Sequence, residues 1–157
     1  MNILVLCTGN SARSILLECT LSQRSGGRFT AFSAGSKPAG KVHPQAHALL
    51  AANGYRTDGL ASKSWDVFAA PDAPKMDIVI TVCGSAAAET CPYWPGAPVR
   101  THWGVDDPAA ASKPDQERAF QTAYDLLLTR AQAFVSLDLQ AMPPATLTKE
   151  LARIGTL

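Results

Sequence analysis

The octapeptide CTGNSARS, residues 7–14, directly follows the apolar run Asn2 to Leu6. A buried strand would thus deliver Cys7 into a tight turn, with Arg13 six positions later. That arrangement is the sequence form of a loop that wraps a tetrahedral oxyanion and attacks it with sulfur. Backbone N–H groups of Thr8, Gly9, Asn10, Ser11, Ala12 and Arg13 can point into one cradle, because Gly9 and Asn10 tolerate the left-handed conformations such a turn needs. A following helix adds its N-terminal dipole, and Arg13 can grip two oxygens at once. The same positive field favours a thiolate at Cys7, by on the order of 3–5 kcal/mol when its pKa is lowered as in other activated cysteines. Ser14 can donate its hydroxyl to that thiolate. The bland alternative is a buried strand-end cysteine beside an exposed arginine.

Cys83 and Cys91 form a second constellation. Cys83 ends a predicted strand, as Cys7 does, so both can open onto one sheet edge. The residues between Cys83 and Cys91 are mostly small or polar, so they suit a short helix or mobile loop that could bring the two sulfurs together. Two unrelated thiols are the competing reading. Cys19 lies among Leu16 and Leu17 in a predicted helix and reads as core packing. Asp106-Asp107-Pro108 follows another predicted strand on the same edge. A carboxylic acid there can protonate a departing oxygen, although Asp-Pro turns are also common for purely structural reasons. His43 and His47 have ligand spacing on a helix, but no zinc-type cysteine pair accompanies them. Capping or solvated histidines are therefore the expectation, with no resident metal.

These side chains need a scaffold that places strand ends side by side. At 157 residues the chain fits one domain with a substantial core. Its formal net charge of +1 gives no reason to expect a nucleic-acid or membrane partner. The first residues do not read as a signal peptide, and no stretch is long enough for a membrane span. A cytoplasmic protein is expected, in which four cysteines serve as chemistry or core rather than as structural disulfides.

Strands are predicted at Asn2 to Leu6, Phe29 to Ser33, Met76 to Val82 and Val99 to Trp103. Helices are predicted at Ala12 to Gln23, Pro44 to Asn53 and Pro114 to Asp138, with a short one at Ser64 to Ala69. The alternation predicts a single α/β domain: a four-stranded parallel sheet with helices on both faces and its ligand site at the strand C-terminal edge. The catalytic domain is drawn at residues 1–140. Residues 141–157 form a tail beyond it, helical from Thr146 to Ile154 and loosely attached.

The chain resembles the low-molecular-weight tyrosine phosphatase superfamily and, within it, the arsenate reductases of the thioredoxin-coupled type. The matching pieces are CTGNSARS at 7–14, SAGS at 33–36, VHPQA at 42–46, the Cys83/Cys91 pair followed by Pro92, and HWGVDDP at 102–108. The resemblance implies Cys7 as nucleophile, Arg13 as oxyanion clamp, Asp107 as general acid, and Cys83 with Cys91 as the resolving pair. It implies arsenate as substrate and thioredoxin as electron donor, with glutaredoxin and glutathione as the alternative. A monomer without an organic cofactor is expected. Some family reductases bind potassium beside the anion loop, and Asn10, Glu18 and Ser33 match part of that site.

Two departures separate the chain from the phosphatase branch. Ala12 and Ile15 stand where those phosphatases commonly carry a second loop cysteine and a proline. Ala109-Ala110-Ala111 follows Pro108, where they place aromatic residues that grip a phenyl ring. A wall without aromatics suits a small inorganic anion. From the reductases the chain departs in a slightly longer spacing between its paired cysteines. Reduction of arsenate is the expected activity. A phosphatase, using only Cys7, Arg13 and Asp107, and a non-catalytic oxyanion or arsenite sensor are the other readings.

Overall fold

The structure is a computed structural model that describes residues 1–88, 94 and 98–157. Strands β1 (Asn2–Cys7), β2 (Thr30–Gly35), β3 (Ile78–Thr81) and β4 (Val99–His102) form one sheet in the order β2-β1-β3-β4, with every pair parallel. The helices are α1 (Arg13–Arg24), α2 (Pro44–Ala52), α3 (Gly84–Ala88), α4 (Lys113–Val135) and α5 (Pro144–Ile154). Short 3-10 helices span Trp65–Ala69 and Pro108–Ala110.

The uninterrupted apolar run of β1 follows from its central place, since a strand covered on both faces cannot alternate with polar residues. Ile3, Val5 and Cys7 point into the larger core, which α1, α2, α4 and α5 line. Leu4 and Leu6 point the other way, against Phe68, Met76, Val79 and Trp94, with the 3-10 helix at Trp65 as cover. Parallel pairing brings the C-terminal ends of β1, β3 and β4 to one edge, so Cys7, Cys83 and the segment leading to Asp107 share it.

Several boundaries differ from the sequence expectation. β2 runs two residues further, to Gly35, because that end pairs with the incoming chain: the Gly35 N–H donates to the Lys63 carbonyl at 2.9 Å. β3 begins only at Ile78. Asp77 instead turns its carboxylate back to the Asn2 N–H at 2.6 Å. The tail expected to be loose is docked. Leu147, Leu151 and Ile154 of α5 are buried in the main core, and Trp103 Nε1 donates to the Leu151 carbonyl at 2.9 Å. Their i, i+4, i+7 spacing is that of an apolar helix stripe, which explains the docking. Among the described residues, no helix is long and apolar enough to cross a membrane.

Candidate active site

The loop after β1 is held from outside by its carbonyls. Thr8 O accepts from the Lys37 N–H at 3.0 Å, Gly9 O from the Ala39 N–H at 2.9 Å and from Ser62 Oγ at 3.0 Å, and Ser11 O from the His43 N–H at 2.9 Å. With the carbonyls turned outward, the N–H groups face the concave side. Among the described residues, none of the N–H groups from Asn10 to Arg13 donates to a protein acceptor. Helix α1 starts on Ala12 with no side-chain cap, so its first N–H groups are also open. Alanine is a poor cap, costing about 1 kcal/mol against serine or aspartate, and an oxyanion in the cradle would fill that role.

Asn10 turns the corner. It is fully buried and has φ 45°, a left-handed conformation that asparagine tolerates. Gly9, expected to share this conformation, does not adopt it, and a Cβ there would meet open space. Gly35 carries the steric demand instead: a Cβ on it would lie 2.4 Å from Thr8 O, so the end of β2 can approach the loop only as glycine.

Asn10 Nδ2 donates to Ser14 Oγ and Ser33 Oγ, both at 2.9 Å, and its Oδ1 accepts from the Lys63 N–H at 2.9 Å. Ser14 is therefore a buried buttress of the loop. It makes no hydrogen bond to Cys7 among the described contacts, contrary to the expectation that it steadies the thiolate. The Ser33 hydroxyl donates in turn to Glu18. Asn10, Ser33 and Glu18 are thus brought together, but as a closed chain of hydrogen bonds. The Lys63 N–H, which can only donate, fixes the asparagine oxygen away from Ser33 and Glu18. This donor set does not fit potassium, which needs several converging oxygens. Burial raises the Glu18 pKa, opposed by the Ser33 bond and the Lys63 charge. The Ser62 to Asp66 stretch aligns too loosely with the family's ion site to be assigned from sequence, and its part in holding the loop leaves no local pattern because the contacts span 53 residues.

Arg13 opens α1 and reaches across the site. Its Nη1 donates to the Val105 carbonyl at 2.9 Å, and Nη2 lies 3.8 Å from Asp107 Oδ2. Its Nε is buried without a partner, so Nε and Nη2 remain to face an anion. Asp107 caps the 3-10 helix at Pro108, with Oδ1 accepting from the Ala109 N–H at 3.0 Å. That bond leaves Oδ2 toward Arg13, and the side chain is 45% exposed. Its neighbour Asp106 is exposed.

Cys7 and Cys83 are each 4% exposed and lie beside each other at the sheet edge, where each thiol shifts the titration of the other. Cys83 Sγ is also within reach of Thr8 Oγ1 at 3.5 Å and of the Ala86 N–H at 3.4 Å, at the start of α3. Donation from Cys7, Thr8 and Ala86 pushes the Cys83 pKa down to about 5, against its burial. Cys7 is pushed up, first because it donates to Cys83 and second by burial, although Arg13 and the Gly9 N–H pull the other way. The expected low pKa at Cys7 is therefore corrected. The two thiols titrate as a coupled pair, with the lower value drawn toward Cys83 and the higher toward Cys7.

Cys91 lies outside the described residues. Cys19 is 1% exposed, and burial raises its pKa to about 11, as expected of a packing thiol. His43 caps α2 through Nδ1, which accepts from the Gln45 N–H at 3.1 Å, and His47 is exposed. Among the described residues, no group of three or more His, Cys, Asp or Glu could hold a metal ion.

Residues 2–152 match the family described as low molecular weight phosphotyrosine protein phosphatase. The arsenate reductase of Bacillus subtilis (strain 168) is 34% identical over 134 residues, covering 84% of this chain and 93% of that protein. The arsenate reductase of Bacillus anthracis (strain A0248) is 37% identical over 116 residues, covering 74% and 83%. A solved structure of an arsenate reductase in the phosphate-binding state superposes with TM-score 0.70 at 24% identity, covering 86% of this chain and 96% of that one. The chain belongs to the low molecular weight phosphotyrosine protein phosphatase family.

Proposed function

We propose that the chain is an arsenate reductase that converts arsenate to arsenite through a relay of Cys7, Cys83 and Cys91. The observation that carries this reading is the second sulfur: Cys83, buried like Cys7, stands at the anion loop with its Sγ 3.5 Å from Thr8 Oγ1, where a phosphatase needs one thiol only. The curated relatives named as arsenate reductases support it.

Arsenate sits in the cradle of N–H groups from Thr8 to Arg13, with two oxygens on Arg13 Nε and Nη2. Cys7 passes its proton to the neighbouring Cys83 and attacks arsenic. One As–O bond breaks, and Asp107 protonates the departing oxygen, which leaves as water. Cys83 gives its proton to an arsenic-bound oxygen and attacks Cys7 Sγ. The S–S bond forms, the S–As bond breaks, and its electron pair stays on arsenic, which leaves as arsenite. Cys91 then attacks Cys83, freeing the Cys7 thiolate and leaving a Cys83–Cys91 disulfide for an external dithiol to reduce.

Thioredoxin is the proposed donor, and the cytoplasm, with its reducing poise, is the proposed compartment. No step needs potassium, a membrane, a nucleic acid or a second copy. The 3-10 helix Pro108–Ala110 offers no aromatic ring for a phenyl phosphate, which favours a small anion. The test is arsenate-dependent NADPH oxidation with thioredoxin and thioredoxin reductase, run beside a glutaredoxin–glutathione system and a phosphomonoester assay. Turnover with thioredoxin is expected. Phosphomonoester hydrolysis without arsenate turnover under either donor would overturn the proposal.

A further inference from the structure

The segment that carries Asp107 is tied down on both sides of its backbone. The N–H groups of Trp103 and Val105 donate to the carbonyls of Thr81 at 2.8 Å and Val82 at 3.0 Å. On the other side, two guanidinium groups grip consecutive carbonyls: Arg13 holds Val105 O at 2.9 Å, and Arg130 of α4 holds Gly104 O at 3.0 Å. Arg130 is 5% exposed, and its Nη2 donates to the Leu157 carbonyl at 3.3 Å. Its Nε is buried without a partner. A buried guanidinium with its Nε left unpartnered is an expensive way to fill space that an apolar side chain would fill at less cost. What it uniquely supplies is a directional donor, carried by a long helix, to the backbone three residues before Asp107.

We propose that Arg130 is a positioning residue for the acid step: through Gly104 O it holds the 104–107 segment so that Asp107 faces the departing oxygen beside Arg13. The assignment rests on Asp107 being the general acid. Arg130 makes no hydrogen bond to the anion loop itself, so its effect belongs in kcat and not in oxyanion affinity.

The experiment is a double-mutant cycle of Arg130→Met and Asp107→Asn, reading kcat for arsenate reduction and the inhibition constant of inorganic phosphate. Misplacing the acid by about an ångström should lower kcat by roughly 10- to 100-fold in Arg130→Met. Removing the acid should lower kcat by on the order of 100-fold in Asp107→Asn. The double variant should then fall within about 3-fold of Asp107→Asn alone, because the arginine acts through the acid. The phosphate inhibition constant should stay within about 2-fold of the parent in Arg130→Met, since the cradle keeps its contacts. Should the methionine variant fail to fold, the cycle is run with Arg130→Lys. Its single ammonium reaches one carbonyl rather than two and should give a smaller loss, about 3-fold, again absent beside Asp107→Asn. Multiplying losses in the double variant, or a loss carried by weaker phosphate binding, would overturn the positioning role and leave the acid standing. An undiminished kcat in Asp107→Asn would remove the acid assignment itself and the proposal with it.

Discussion

Replacing Arg13 by lysine keeps the charge and removes the fork, which makes it a sharp probe of the clamp. Arg13 uses Nη1 on Val105 O at 2.9 Å, while Nε is buried and unpartnered and Nη2 has only the 3.8 Å approach of Asp107. Two donors are thus available to an oxyanion while the third stays on the acid-bearing segment. A lysine ammonium directs its three N–H groups tetrahedrally from one point and cannot present parallel donors to two oxygens while reaching the Val105 carbonyl. Loss of one oriented donor to a developing oxyanion costs about 2.7–4 kcal/mol where it has been isolated. Partial compensation by the ammonium lowers the expected figure to roughly 2–4 kcal/mol, or about 30- to 1,000-fold in kcat/KM. The assay is steady-state arsenate reduction at saturating reductant, with phosphate inhibition measured in parallel. A lysine variant within a few-fold of the parent would show that Arg13 contributes long-range charge alone, and the bidentate account would be wrong.

The reduced protein should show one thiolate, read by its ultraviolet absorbance, that titrates with a midpoint near pH 5, and Cys83→Ser should move that midpoint upward. Because that pKa is depressed in the folded state, the stability it contributes is fully present above the ordinary thiol value of 9.0 and is lost as pH falls through about 5. Melting the parent and Cys83→Ser between pH 5 and 9 checks the slope, which should be steeper in the parent. Glu18 has the opposite sign: its raised pKa means that stability present below the ordinary value of 4.5 is lost as pH rises through the folded value. Glu18→Gln should therefore gain in Tm relative to the parent at pH 8 compared with pH 4, and a pH-independent difference would contradict the buried-acid reading. Arsenate reduction should run equally fast in potassium and sodium chloride at equal ionic strength, and stimulation by potassium would contradict the closed Asn10–Ser33–Glu18 chain.

What could be read from the sequence was what local residue order controls. The apolar run of β1 and the octapeptide after it announce a strand and an anion loop, and parallel α/β alternation brings Cys7, Cys83 and Asp107 to one edge. What escaped depends on distant groups. The direction of the Cys7 pKa is set by a sulfur 76 positions away, which outweighs the nearby Arg13. Ser14 turns to Asn10, because the buried amide must be satisfied and Ser14 lies beside it. A left-handed turn was expected at both Gly9 and Asn10, but only Asn10 adopts it, and it is Gly35, approaching from β2, that has no room for a Cβ. A loosely attached tail was expected at 141–157, while the Leu147, Leu151 and Ile154 stripe determined the packing.

The central claim is that the three thiols act in order, and a single-turnover experiment on two variants tests it most directly. Each variant is mixed with arsenate in the absence of external reductant. Arsenite is quantified, and the disulfides are mapped by peptide mass analysis. Cys83→Ser should release no arsenite, because the Cys7 adduct has no neighbouring sulfur to resolve it. Cys91→Ser should release about one equivalent per chain, one oxidation of the Cys7–Cys83 pair, and then stall with those two cysteines linked. Continued turnover of Cys91→Ser with thioredoxin as the sole donor, or arsenite release by Cys83→Ser, would contradict the relay.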